Sequence, residues 1–475
     1  MRNSSNSLYK YVLIIVIISV FGFLSTNNNI IGTLWVSIQC IILLILLLIN
    51  KFKKFYIFYV IFTTSSIEFS FDTSYTSTLF NFRNYNIIGV STSVIFAIIG
   101  IIYLIIFKQR ARLIVVKNNY FYNFLLVLCI TGTFVGLFNL YNGAAFLEYY
   151  IKDIYYGIYV LLILYMAVYL VNEKKENSEE LKIVLQAMII GSVVSSLISI
   201  PLNISYSYGG VDILPYTQAI LFSPFLILIA IYEKGLLGKI LIYSGIIGSA
   251  LIVYFNASGK GLLNIIITFI LLLYILYRNN NVKLSKLSVF VLIFVPPIVF
   301  LIFKDNITGN VLFMSKLNQV VTLFNYHFDL DSIANSPRYR ITEFININRE
   351  LFNNPISLIF GKGYGGGFED YYGYFKSGNL GAFSATEYKL GVYFNPHEAL
   401  NVILLKHGYL GLILLIFLFI KYFRYVKQSG FIFIGLYWVL IIYGFSNVFT
   451  ILGVISFVIG IVEIRKKRLY QGNAV

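Results

Sequence analysis

Several short constellations in this 475-residue chain combine residue types that do chemistry. The first is Asn395-Pro396-His397-Glu398, where a polar stretch gives way to an apolar run. A neutral imidazole there can take a proton from a hydroxyl. Glu398 could orient that imidazole or carry charge itself; the competing reading is an interfacial histidine at a helix start. The second is Ser336-Pro337-Arg338-Tyr339-Arg340. Two guanidinium forks near a membrane rim match the geometry of a diphosphate, whereas in an ordinary loop they are simply solvated. The third is Asn256-Ala257-Ser258-Gly259-Lys260-Gly261, a tight hairpin with a single cation. A cation at a helix N-terminus opposes the macrodipole, so an anionic ligand is one way to compensate Lys260; plain turn chemistry is the other.

Other candidates carry less. The patch Gly361-Lys362-Gly363-Tyr364-Gly365-Gly366-Gly367 lacks the GxxxxGK[ST] spacing of a phosphate-binding loop. It reads as a flexible turn that allows close backbone approach. Glu68 lies in an apolar run, where an acid is a functional candidate by default, although Asp72 four residues on moves it toward the outer rim. His407, beside Gly408, reads as structural, and His327, among Phe324, Tyr326 and Phe328, as packing. Cys40 and Cys129 form no CxxC or Cys/His cluster, and no paired acidic motif appears in the first external loop, so no metal site is expected.

The elements that must position these residues are set by composition. The chain is 59% hydrophobic and 12% charged, with mean hydropathy +0.81. At about 20 apolar residues per span this allows about 14 spans and leaves little for a soluble core. A soluble enzyme, a disordered chain and a disulfide scaffold are excluded. The fold class expected is an all-α polytopic membrane protein. Apolar runs place spans near 11–25, 30–50, 55–71, 87–107, 121–139, 154–171, 183–200, 216–232, 240–256, 261–277, 287–303, 402–420, 431–447 and 450–464. The first of these, preceded by Arg2 and Lys10 and lacking a small-residue cleavage site, reads as a retained span.

Lys and Arg cluster in alternate loops: Lys51, Lys53 and Lys54; Lys108 to Lys117; Lys174, Lys175 and Lys182; Lys234 and Lys239; Arg278, Lys283 and Lys286; Lys421, Arg424 and Lys427; then Arg465 to Arg468. By the positive-inside rule both termini are cytoplasmic. The net charge of +16 is then a topology signal and gives no reason to expect nucleic acid. The expected organisation is an N-terminal bundle over 1–303, an external loop over 304–396, and C-terminal spans with a cytoplasmic tail over 397–475. A loop that long calls for a function. Within it, Ile341 to Phe352 reads as an amphipathic helix with Phe344, Ile347 and Leu351 on one face.

Taken together, these residues resemble the O-antigen ligase and O-antigen polymerase superfamily of bacterial envelope glycosyltransferases, polytopic proteins with one large external loop late in the chain. The likeness rests on His397-Glu398, nine residues, then Gly408-Tyr409-Leu410-Gly411. Glu398 stands where the family usually has Asn, Ser or Gln. It rests also on Arg340 followed by Phe344, Pro355 and Gly361-Lys362-Gly363, and on Lys260 where ligases often carry an arginine in a hairpin before a span.

The resemblance implies an undecaprenyl-diphosphate-linked oligosaccharide as donor, with membrane lipid around its tail, and no cofactor or metal. His397 would be the general base and Arg340 the catalytic cation. Arg338, Lys260 and Glu398 would complete the substrate site. The setting implied is the bacterial inner membrane, with the large loop periplasmic or extracellular, and a chain-length regulator is an expected kind of partner. A polymerase, passing the growing glycan to another lipid-linked repeat unit, is favoured. The alternatives are a ligase, passing it to lipid A-core or another acceptor, and a lipid-linked oligosaccharide flippase. The external loop and the lack of an internal repeat argue against the flippase.

Overall fold

A backbone exposed to lipid must satisfy its own hydrogen bonds, so apolar runs of this kind become helices. The computed structural model describes residues 2–26, 29–65, 67–68, 81–83, 85–87, 90–107, 120–173, 175–200, 206–208, 211–213, 216–233, 235–253, 259–278, 330, 335–375, 383–444 and 447–472. The expected span 287–303, His327 and Asp72 lie outside them.

The chain opens with α1 (Arg2–Thr26), α2 (Asn29–Leu48) and α3 (Phe52–Thr64). A two-residue strand β1 (Ile67–Glu68) and a hairpin of β2 (Asn86–Ile87) and β3 (Val90–Ser91) precede α4 (Thr92–Phe107). Then come α5 (Tyr120–Tyr141), α6 (Leu147–Glu173) and α7 (Lys175–Ser199). A hairpin of β4 (Tyr206–Tyr208) and β5 (Val211–Ile213) is followed by β6 (Tyr216–Thr217), which pairs antiparallel with β1. After α8 (Phe225–Ala230), α9 (Leu236–Leu251) and α10 (Gly259–Arg278) come α11 (Asn335–Phe352), α12 (Pro355–Phe360), β7 (Phe368–Glu369), α13 (Ala385–Leu390) and β8 (Val392–Tyr393). The chain closes with α14 (Ala399–Phe423), α15 (Gly430–Tyr437) with its π-helical continuation Trp438–Ile442, and α16 (Asn447–Gly472).

Among the described residues six helices are long and apolar enough to cross a membrane: Ile30–Leu48, Tyr120–Tyr141, Leu147–Glu173, Glu176–Ser199, Ala399–Phe423 and Val448–Lys467. Five shorter apolar helices of 10–17 residues accompany them. This is an all-α membrane architecture. The core lies around α7 and α16, the most enclosed of the six, while α2 and α5 keep broad apolar faces outward. Ile130, Phe134, Leu137 and Phe138 of α5 are exposed, as residues that meet lipid are.

Three expectations change. The run 216–232 is not one helix. It is β6, a 3₁₀ turn at Gln218–Phe222, Ser223-Pro224, and the short α8. Pro224 has no N–H to give, and the Ser223 N–H closes a tight turn on the Ile220 carbonyl at 2.8 Å. Every residue from Ala219 to Ala230 is buried, and irregular backbone at membrane depth is tolerated only when enclosed in protein. Glu68 does not sit within a span: α3 ends at Thr64, and Glu68 lies on β1 opposite Tyr216. On α11 the inward face carries Tyr339, Glu343, Ile347 and Leu351, while Phe344 is exposed.

The polar end of the bundle is tied by ion pairs. Lys182 bridges Glu233 at 2.5 Å and Glu463 at 3.1 Å, Lys53 meets Glu180 at 2.5 Å, and Lys466 meets Glu179 at 2.6 Å. Ser429, just past the end of α14, also bonds Glu463. The start of α14 lies at the opposite end of that 25-residue helix.

Candidate functional site

The site is built at the start of α14 against α11. Helix α11 presents one polar stripe inward. Thr342, Glu343 and Asn346 are fully buried, although nothing in an amphipathic helix of a soluble loop would require it. A carboxylate removed from water must be paired. Glu343 meets that demand with the residues just before α14. The His397 backbone N–H donates to it at 3.0 and 3.2 Å, and the His397 Nδ1 pairs with its Oε1. The Asn401 side-chain amide donates to its Oε2 at 3.2 Å and also to the Arg340 carbonyl at 3.1 Å.

A carboxylate at Nδ1 fixes the imidazole tautomer, leaving Nε2 as the proton acceptor. The His397 side chain is 28% exposed while Glu343 is fully enclosed, so the ring opens outward from a buried anchor. The edge of Phe383, 4.9 Å away, packs it from the side.

Arg340 lies one turn before Glu343 on the same helix. Its Nε contacts the Glu398 carboxylate at 2.5 Å. Glu398 therefore pairs with the arginine and leaves the orientation of His397 to Glu343. Glu398 occupies the N-cap position of α14 without a side-chain capping bond. Arg338, near the start of α11, stacks over the Tyr374 ring at 5.2 Å. Arg340, Glu398 and His397 thus lie together at the start of α14, above the buried Glu343.

Lys260 lies in the first turn of α10, and only its backbone is described. Four residues further on, Asn264 accepts a hydrogen bond from Tyr437, so the helix that carries Lys260 packs against α15.

The glycine motifs meet each other. The Gly361–Gly367 segment enters between α5, α6 and α14, and its backbone is pinned to them by hydrogen bonds. The N–H groups of Lys362, Gly363 and Tyr364 donate to the carbonyls of Leu405 (2.7 Å), Lys406 (3.1 Å) and Gly132 (2.8 Å). The Asn139 amide donates to the Lys362 carbonyl at 2.8 Å. The expected close approach is present, but the expected flexible turn is instead a fastened loop. Gly408 kinks α14 at φ 59° and ψ −158°, and a Cβ there would stand 2.4 Å from the Gly361 nitrogen. His407 is buried in this kink against the edge of Tyr364, as its structural reading expects. Gly408→Ala should therefore destabilise the protein by roughly 3 kcal/mol, combining backbone strain with overpacking. Thermal unfolding in detergent measures this, and an unchanged midpoint would contradict the tight junction.

Behind the loop, Lys406 is paired with Asp153 at 2.6 Å and donates to the Gly366 carbonyl at 2.9 Å. The Gly365 N–H donates to the same Asp153 carboxylate at 2.9 Å. This buried pair seats the loop between two spans. Sequence reasoning missed it, as it missed Glu343 and Asn401. The available signals were a lysine and an aspartate each stranded in an apolar run, and an acid on the inward face of α11.

Among the described residues no group of three or more His, Cys, Asp or Glu side chains could hold a metal ion. Comparison with protein-family models, with curated proteins and with solved structures found no match.

Proposed function

We propose that this chain is a glycosyltransferase of the bacterial cytoplasmic membrane that polymerises lipid-linked oligosaccharide repeat units on the outer side. The observation that carries this reading is the buried Glu343 holding His397 by its Nδ1, one turn from Arg340 on the same helix. A general base and a fixed cation on one outward-opening rim suit a reaction whose leaving group is a diphosphate. The Lys and Arg clusters in alternate loops support the orientation, with both termini inside and the His397 end outside.

In the proposed reaction the acceptor sugar hydroxyl gives its proton to His397 Nε2. The acceptor oxygen then forms a bond to the anomeric carbon of the donor, with inversion. The bond from that carbon to the diphosphate oxygen breaks, and undecaprenyl diphosphate leaves with the electron pair. Glu343 stabilises the imidazolium so formed. In this reading Arg340, Arg338 and Lys260 balance the charge that develops on the diphosphate. No cofactor takes part. Glu398 holds the Arg340 guanidinium in place by its Nε.

Arg340→Lys keeps the charge but loses the planar fork. Surface glycan in the native host, normalised to membrane abundance of the protein, should fall at least tenfold in long chains. Full-length glycan at normal amount would contradict the role given to Arg340. A defect that traps repeat units on the cytoplasmic side would point to transport across the membrane, and long polymer left on the lipid carrier would point to ligation.

A further inference from the structure

A second feature of the loop region is not used by the transfer chemistry: three tyrosines on one clamped turn beside the rim. The turn runs from Asp370 to Phe375. Its ends are fixed by the Asp370 carboxylate, which accepts from the Phe375 N–H at 2.8 Å and from the Asn346 amide at 3.3 Å. Phe375 is fully buried in an aromatic core with Tyr339, Phe368, Phe383 and Tyr393, so it anchors the turn from below. Gly373, at φ 72°, lets the chain reverse between Tyr372 and Tyr374. The result is a rigid scaffold that holds aromatic rings outward.

Each ring is held. Tyr371 is 37% exposed, with Arg349 stacked on it at 4.2 Å and its hydroxyl donating to Glu350 at 2.7 Å. Burial works against the Glu350 anion, but the hydrogen bonds from Lys362 and Tyr371 overcome it and hold the carboxyl below its usual value. Burial and this carboxylate push the Tyr371 phenol up to about 12, so it stays a neutral donor. Tyr372 is half exposed and stacks with Tyr374 at 6.4 Å, and Tyr374 lies under Arg338. The surface therefore follows α11 from Arg338, two residues from Arg340, to Arg349, about 16 Å along the helix axis.

We propose that this tyrosine–arginine surface is a glycan-binding subsite that holds the oligosaccharide next to the transfer site. The proposal rests on the glycosyltransferase reading above and names where the sugar chain lies. Sugar rings present flat C–H faces, which pack on aromatic faces, and hydroxyl edges, which accept from guanidinium donors. A row of rings with arginines at both ends offers both kinds of contact. Rings already immobilised lose little entropy on binding, which favours a repetitive ligand of weak individual contacts. An exposed aromatic row held by a buried frame is otherwise costly to maintain. Phe375, the anchor of the turn, packs on Phe383 at 5.0 Å and Phe383 on His397 at 4.9 Å, so the occupant is a chain attached to the reacting unit.

The test uses the full-length protein in detergent, and oligosaccharides released by mild acid from the native host's lipid-linked glycan as the probe. Saturation-transfer NMR should show binding to the wild type and to His397→Ala alike. Tyr372→Ala and Tyr374→Ala should each weaken it at least tenfold, whereas Tyr372→Phe should retain it. In cells, Tyr372→Ala should shift the surface glycan to shorter chains without abolishing the first transfer. Because Tyr372 is half exposed, its replacement leaves the buried frame intact, and membrane abundance verifies this. Wild-type protein that binds none of the released glycan, or Tyr372→Ala with unchanged affinity and chain length, would overturn the subsite. If His397→Ala keeps long chains while the tyrosine variants lose glycan binding, the transfer reading fails and the subsite stands.

Discussion

His397→Ala should reduce glycan polymerisation by about 10²–10⁴-fold, the contribution typical of a positioned general base. The acceptor hydroxyl would then have no base within reach, while Arg340 and Glu398 would keep their contact. The expected cellular outcome is a surface carrying single repeat units, with the protein present at normal abundance. His397 is partly exposed, and its loss leaves the Gly361–Gly363 junction with α14 untouched, so the fold should survive. His397→Gln is a useful companion, since it keeps a polar side chain of similar reach but cannot accept and carry a proton. It should be as inactive as the alanine variant. Activity in the glutamine variant would assign His397 to hydrogen bonding alone.

Glu343→Gln should be nearly as damaging, by about 10²-fold or more. An amide can still accept from the His397 backbone N–H, yet it cannot stabilise an imidazolium. The known cost of swapping carboxylate for amide behind a catalytic histidine is large for this reason. Glu343 acts through His397 and is a positioning residue, so its test needs a reading that a merely structural role would not move. The pH–rate profile supplies one. Without the carboxylate, the imidazolium is less favoured, so the acidic limb of the pH–rate profile should move to lower pH. Glu343→Asp, a shorter carboxylate, should restore part of the rate and return the profile toward the wild type. Equal loss in both variants with an unshifted profile would make Glu343 a packing residue. Glu343→Leu should add a stability defect, because the buried Asn401 amide would lose one acceptor.

Much of this arrangement was legible in the chain, for physical reasons. Hydropathy alone locates helices such as Tyr120–Tyr141 and Ala399–Phe423, since lipid-exposed backbone has no alternative to the helix. It fails at 216–232, because enclosure in protein relaxes that demand and Pro224 then sets the local geometry. His397 stands out as a scarce residue type at a loop boundary and Arg340 as one of two arginines within the loop; Glu343 receives the one and Glu398 the other. Glu398 was visible too, but its partner was not: adjacency to His397 suggested a dyad that helix geometry assigns to Glu343, 54 positions away. Apolar spacing predicts Phe344 on one face with Ile347 and Leu351. A buried stripe of Thr342, Glu343 and Asn346 reverses that choice, since a site helix can hide its polar side. The glycine patch looked flexible because glycine permits many conformations. Its carbonyl partners on Leu405, Lys406 and Gly132 select one.

The central claim is a transfer reaction with His397 as base and a lipid-linked diphosphate as leaving group. Its most direct test is reconstitution in proteoliposomes with undecaprenyl-diphosphate-linked repeat units purified from the native host as the only substrate. Glycan length is read on gels and released undecaprenyl diphosphate by mass spectrometry. The account predicts a ladder of polymer with one lipid diphosphate released per bond formed by the wild type, and neither product from His397→Ala. Polymer made equally well by both proteins, or no polymer and no lipid release from the wild type, would contradict it.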